Sequence, residues 1–349
     1  MNPRRAWIAI VTLSLGILLA VWALASYLEG RRPRPAVQFL DVWKIDAHQR
    51  AGPDALTLAM GLAATQRIRG FVNYAGGHAG DGLEDQVAAA ARFPGRVAVF
   101  MELDLQGCCG EDWSNREVVR MVQGRAGGAR GLSVSASLGS LRNRSGRRVP
   151  VDGAELEPVW DMAQRLEIPV ALGTGGAVAA GAEGRVPLDE FVRLLERHPR
   201  LSFLAARFQD GAGDPAEVSR LLDRLPNLFV DTAACLHDLG RRAEAARAAI
   251  LSHPDRILFG TGLEWRDGPR GQKAVVLGAG RPARSVAEIR RFFESTWRFF
   301  ETQDDAIPDP SPLEAPWKLE GLALPRQVLE SVYHGNAERL LGFEPLESD

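Results

Sequence analysis

Residues 44–51 read KIDAHQRA, a short stretch that starts apolar and gathers Asp46, His48 and Arg50 towards its carboxyl end. In an extended strand every second side chain shares a face, so His48 and Arg50 are delivered to the same side. The stretch predicts a buried strand whose end carries chemistry. Runs of similar β-rich character recur at 68–74, 97–103, 131–135, 168–173, 201–206, 228–231 and 256–261, which with 43–47 makes eight strand candidates.

Helical patterns fill the gaps between them. In DPAEVSRLLDRL (214–225), Asp214 is an N-cap, Pro215 takes the first helical position and Glu217 completes a capping-box-like start. Val218, Leu221, Leu222 and Leu225 then fall at i, i+3, i+4 and i+7, one face of a helix. ELEPVWDMAQRL (155–166) repeats the stripe with Leu156, Val159, Trp160 and Ala163, and Ser114 with Glu117 and Ser285 with Glu288 mark two more starts. Eight strands alternating with helices predict an α/β fold, a (β/α)8 TIM barrel, because a doubly wound sheet more usually has five or six strands. Beyond the eighth strand the sequence predicts a long Gly/Arg-rich loop and an aromatic helix over 286–301. A proline-studded loop (IPDPSPLEAP, 307–316) and a last helix around 327–341 follow. Phe292, Phe293, Trp297, Phe299 and Phe300 have the spacing of a stripe packed on the barrel wall.

The first 35 residues differ in kind. Trp7 to Leu28 are 22 residues without a charge, which as a helix span roughly 33 Å, enough for the hydrocarbon core of a bilayer. Ala23-Leu24-Ala25 offers a cleavage-like site, but the length of the run favours a retained anchor. The expected organisation is a single-pass membrane anchor and linker over 1–35 and a barrel over 36–349 on the far, periplasmic side. A net charge of −2 and the lack of a basic run with interleaved aromatics exclude a nucleic-acid groove. Three cysteines, two of them adjacent (Cys108, Cys109), do not make a disulfide framework and are expected as small packed residues.

In a barrel, chemistry collects at the carboxyl ends of the strands. Read in order, those ends are His48 and Arg50, Asn73 and Tyr74, Glu102 and Asp104, Ser133 and Ser135, Gly173, Arg207, Asp231 and Gly262. Other motifs carry less. Gly278 to Ala283 fits G-x-G-x-x-A, but no βαβ unit follows it, and there is no G-x-S-x-G elbow. His78 sits in a Gly-rich loop, and His198, His237, His253 and His334 fall in or at the ends of helices, where capping accounts for them.

The blocks KIDAHQRA, IPVALGTGG, HPRLSFLAARFQD, NLFVDTAA, RILFGTGLEW and LPRQVLESVYHGNAERLLGF resemble, in this order, those of the amidohydrolase-related family, also called amidohydrolase family 2. The last block, with FFESTWRFFETQDDAIPDPSP before it, is the most specific, and the resemblance covers the chain after the anchor. It implies a TIM-barrel hydrolase or decarboxylase that uses zinc or another divalent metal. It also implies His-x-His on the first strand, histidines ending the fifth and sixth, and an aspartate after Gly-Thr on the eighth. Of these positions His48 alone matches; Arg50, Gly173, Arg207 and Gly262 stand at the others.

A zinc-like ion needs three or four lone-pair donors, which protonated guanidinium groups and glycine cannot supply. The expectation is therefore no metal in the usual place. One reading is a non-catalytic pseudoenzyme that binds a small anion through Arg50 and Arg207, with His48 beside them. The alternative is an active, metal-independent hydrolase or lyase in which His48 is the general base and Asp46, Glu102 or Asp104 orients it or acts as acid. A blander reading has the two arginines paired with Asp104 or Asp231.

Overall fold

The strand that KIDAHQRA predicts forms over Lys44–Arg50 (β1) and is buried along all but its last residue. Seven more follow at Ile68–Asn73 (β2), Val97–Glu102 (β3), Gly131–Val134 (β4), Val170–Leu172 (β5), Phe203–Ala205 (β6), Leu228–Asp231 (β7) and Ile257–Leu258 (β8). The computed structural model describes residues 40–110, 112–173, 186–205, 214–268, 272–278, 282–309 and 318–344. These belong to a unit that begins at Leu40. The expected anchor and Arg207 lie outside the described residues. Among the described residues no helix is long and apolar enough to cross a membrane.

Each strand from β1 to β8 pairs in parallel with the next. Parallel neighbours need crossover connections, and the helical segments between the strands supply them. The ring closes through the stretch that follows β8: Ala47 N donates to Phe259 O (2.7 Å) and Gly262 N donates to His48 O (3.0 Å). Leu263–Asp267 (β9) then runs parallel to β1, with Gln49 opposite Leu263. Lys273–Val276 (β10) folds back against β9 as an antiparallel partner. The result is a TIM-barrel-like, curled sheet ordered β10-β9-β1-β2-β3-β4-β5-β6-β7-β8. The segment expected as a loop after the eighth strand is therefore largely a hairpin. The Gly/Arg-rich sequence between β9 and β10 hides flanks, LEWRD and KAVV, that pair well.

The helices follow their sequence signals with one instructive exception. Pro215–Arg224 starts with Asp214 accepting from Ala216 N (3.1 Å), and Val286–Glu301 starts with Ser285 accepting from Glu288 N (3.3 Å). Glu157–Arg165 carries the buried stripe Val159, Trp160 and Ala163. The helix Trp113–Ala126 instead begins one residue before Ser114, after Asp112 in a left-handed conformation. Its Glu117 is turned inward, where it accepts from Asp104 N (3.2 Å) rather than closing a capping box. The adjacent Cys108 and Cys109, expected as separate packed residues, are bonded to each other between Gly107 and Gly110. Left-handed φ values at Gly107 and Cys109 bend the loop around the pair. Cys235 is buried.

The core joins strands to the end of the chain. Ile45, Ala47, Val72, Tyr74, Ala98, Phe100, Ala171, Leu204 and Leu258 pack with Ala337, Leu341 and Phe343. The aromatic helix does what its spacing predicts: Phe293, Trp297, Phe300, Tyr333 and Phe259 meet at centroid separations of 5.4 to 6.1 Å. Lys44, at the start of β1, is buried against this cluster, its Nζ 4.5 Å from the Trp297 ring centre and 4.7 Å from that of Tyr333. Burial lowers its pKa to about 8, partly offset by Glu301.

The last helical segment runs as Arg326–Glu330, a π turn at Ser331–Gly335, and Asn336–Leu341. Asn336 pins it to the barrel: its Nδ2 donates to Pro254 O (2.8 Å) and Ile257 O (2.7 Å). Removing that donor leaves two carbonyls short of a partner, so Asn336→Ala is expected to cost about 1–3 kcal/mol. Urea unfolding of the two proteins checks this.

Candidate functional site

Three polar side chains of the first strand are handled in three different ways. Asp46 is fully buried and spends both oxygens locally: Oδ1 accepts from His48 N (3.0 Å) and Thr261 N (2.9 Å). Its Oδ2 accepts from Gln49 Nε2 (2.8 Å) and the Thr261 hydroxyl. Burial raises its pKa to about 6, with these hydrogen bonds pulling the other way. Asp46 thus binds the end of the barrel's first strand to the stretch beyond its eighth, and touches the backbone of His48 rather than its ring.

The ring of His48 has a different partner. Its Nδ1 lies 2.9 Å from Asp231 Oδ2, a carboxylate 183 residues away that ends β7. His48 is 4% exposed and Asp231 fully buried. Asp231 Oδ1 accepts from Ala233 N (3.0 Å), which holds the carboxylate in place. Tyr74 leans its ring edge-on against the imidazole, centroids 4.7 Å apart, and against Phe100 on its other side at 5.2 Å. Among the described residues the buried Tyr74 hydroxyl has no hydrogen-bond partner. Burial, with Asp231 and Asp46 nearby, drives its pKa well above the ordinary value. It therefore stays a neutral phenol beside the histidine.

Arg50 reaches across to β3, where Nη2 donates to Glu102 Oε1 (2.7 Å). About a quarter of its side chain stays exposed. Asp104 belongs to a neighbouring group: it accepts from Arg120 Nη1 (2.7 Å) and lies 3.8 Å from His78 Nε2. Asn73 serves the backbone, exchanging hydrogen bonds with Ala51 N and O, both at 2.9 Å. Gly173 and Gly262 have φ of +79° and +70°, a region that L side chains rarely adopt. A Cβ at Gly262 would also sit 3.1 Å from Ala234 N and Ala234 Cβ.

Of the residues singled out in the sequence, the described structure brings together Asp46, His48, Arg50 and Glu102 around the ends of β1 and β3. It assigns Asp104 to the Arg120 group. Sequence reasoning treated Asp231 as a partner for an arginine and missed it as the partner of His48. It also missed Thr261, which holds Asp46, and the edge contact of Tyr74. The usable signal was position: Asp231 is the last residue of NLFVD and Thr261 directly precedes Gly262. Of the outlying histidines, His237 pairs with Asp309 (2.6 Å), His253 with Ser219 (3.1 Å) and His334 with Glu338 (3.2 Å).

The fold and this mouth define a parallel α/β barrel with ionisable groups gathered at its strand ends. A sequence model of the amidohydrolase family matches residues 24–343, and the chain belongs to that family. No curated protein sequence matches it. Among solved structures it is similar to an uncharacterised TIM-barrel protein from Bordetella bronchiseptica, at 18% identity, 86% of this chain, 99% of the other and a TM-score of 0.57. It is also similar to a dihydroorotase from Campylobacter jejuni, at 12% identity, 87% and 84% coverage and a TM-score of 0.51. A candidate 2-pyrone-4,6-dicarboxylic acid hydrolase from Pseudomonas putida matches at 14% identity, 88% and 100% coverage and a TM-score of 0.51. At these identities the likeness is one of fold.

Asp46 gives the site a pH dependence whose sign can be worked out. Its folded pKa of about 6 lies above the ordinary 3.8, so its contribution to stability is full below about pH 4 and is lost as pH rises through 6. The displacement corresponds to about 3 kcal/mol. The wild type is expected to lose about that much more stability than Asp46→Asn between pH 4 and 7. Urea titrations at intervals of one pH unit read out the difference.

Proposed function

We propose that the mouth of this amidohydrolase-family barrel is an acid–base centre that works without a divalent metal. The hydrogen bond between Asp231 and His48 carries the reading. A buried carboxylate on Nδ1 favours the tautomer with its proton there, which leaves the Nε2 lone pair for a proton from substrate or water. Asp231 then stabilises the imidazolium that forms, and the neutral Tyr74 ring limits the tilt of the imidazole. The fitting reaction class is proton abstraction beside a carbonyl, or hydrolysis or hydration in which His48 deprotonates the attacking water.

The described donors do not fit the metal that the family implies. Both oxygens of Asp46 are taken by protein donors. Arg50 places a cation at the second position, and the backbone at Gly173 and Gly262 suits glycine rather than a ligand-bearing residue. Among the described residues at the family's ligand positions, His48 is then the one donor left, too few for zinc or its relatives.

A second reading keeps the barrel as a non-catalytic binder of a small anion, with Arg50, Arg207 and His48 as the ligand-binding residues. The partial exposure of Arg50 at the end of its strand favours it. One set of proteins separates the two. Wild type, His48→Ala, Asp231→Asn and Arg50→Ala are assayed on lactone, amide and β-keto acid panels, with and without chelator, and tested for stabilisation by carboxylates and phosphates. The acid–base reading expects chelator-resistant turnover that falls roughly 100- to 10,000-fold in His48→Ala. Turnover that vanishes with chelator, together with zinc or manganese that the purified protein loses in His48→Ala, would overturn it. Absence of turnover, with anion stabilisation lost in Arg50→Ala, would transfer the case to the second reading.

The run from Trp7 to Leu28 supports the further proposal of a single-pass anchor with the barrel on the periplasmic side. The chain is then expected in alkali-washed membranes and open to protease added to spheroplasts. Recovery in the soluble fraction, or protection from the protease, contradicts it.

A further inference from the structure

On the helices that flank the barrel lies a second set of side chains. The helix Glu157–Arg165 presents Glu157 and Asp161 at i and i+4, on one face. The helix Leu188–Arg197 ends beside them, with His198 as its C-cap. The donor atoms of Glu157, Asp161 and His198 all lie within 4.8 Å of one another.

His198 points to a ligand. The residue is 3% exposed, yet among the described residues its Nε2 has no hydrogen-bond partner. That nitrogen lies 3.4 Å from Glu157 Oε1 without forming a hydrogen bond. A buried ring nitrogen that faces a carboxylate at this distance without a hydrogen bond is costly unless something occupies the space between them. Two ligands about 2.0 to 2.1 Å from one tetrahedral ion stand roughly 3.3 to 3.4 Å apart, so the observed gap suits a shared cation.

The surroundings hold this geometry. Asn227 Nδ2 donates to Leu195 O (3.1 Å), His198 O (3.0 Å) and Leu201 O (3.1 Å), fixing the turn that carries the imidazole. Arg197 Nη1 donates to Glu157 Oε2 (3.0 Å), which leaves Oε1 facing His198. Asp161 is exposed and one helical turn along from Glu157, so its carboxylate can approach from the solvent side. Supporting groups that orient the ligands in this way are a regular feature of metal sites.

We propose that Glu157, Asp161 and His198 bind a divalent transition-metal ion, zinc or cobalt in class, with water completing the coordination. One imidazole and two carboxylates suit a borderline cation better than magnesium, which prefers oxygen donors and keeps its waters. The ion ties one outer helix to the end of the next and takes no part in the chemistry of the mouth.

The test uses the full-length protein, stripped with chelator and titrated with ZnCl2, and with CoCl2 for its visible absorption. Wild type is expected to bind one equivalent that Asp161→Asn binds at least tenfold more weakly and His198→Gln does not bind. His48→Ala is expected to retain it. Asp161 is exposed, so its variant keeps the test sound if His198→Gln fails to fold. Equal zinc affinity in wild type and Asp161→Asn, no cobalt absorption in wild type, or loss of the ion in His48→Ala would each overturn the proposal.

Discussion

A single buried carboxylate holds the working end of this barrel together. Asp46 sits where the first strand meets the stretch beyond the last, and takes four hydrogen bonds, from His48 N, Gln49 Nε2, Thr261 N and the Thr261 hydroxyl. The two ends of the barrel meet here through a few backbone bonds and a short parallel pairing, and side chains add to them. The contacts from Ala47 to Phe259 and from Gly262 to His48 take their alignment from this seam. The seam therefore sets the position of the His48 backbone, and through it the reach of the ring to Asp231.

That dependence explains why the family pattern looks so uneven here. At Gly262 the chain needs a left-handed residue so that its N–H can close onto His48 while it passes Ala234. An aspartate there would meet backbone strain and a close contact together. The residues around His48 form a set of their own, a hydrogen-bonded carboxylate and a phenol ring packed edge-on against one imidazole. In our reading the site is reorganised around that set.

Much of the fold was legible because strands and helices have short-range signals. The alternation of apolar runs with capped amphipathic stretches located all eight strands, and Asp214 and Ser285 cap their helices as their positions predict. The pairing of β9 with β10 was hidden because the sequence between them is rich in glycine and arginine. Ser114 misled because the left-handed Asp112 starts that helix early. The site was less legible. His48 and Asp231 meet across 183 residues, and Asp46 and Thr261 across 215. No local periodicity encodes such a meeting; it follows from how the ring closes.

Lys44, set among aromatic rings at the foot of the same strand, has a consequence beyond packing. Its depressed pKa means that protonation at this site costs stability as pH falls through about 8, whereas ionisation of Asp46 costs stability as pH rises through about 6. Between those values both groups carry charge in surroundings that resist it. By themselves they lower stability most between about pH 6 and 8, with firmer ground on the acid and alkaline sides.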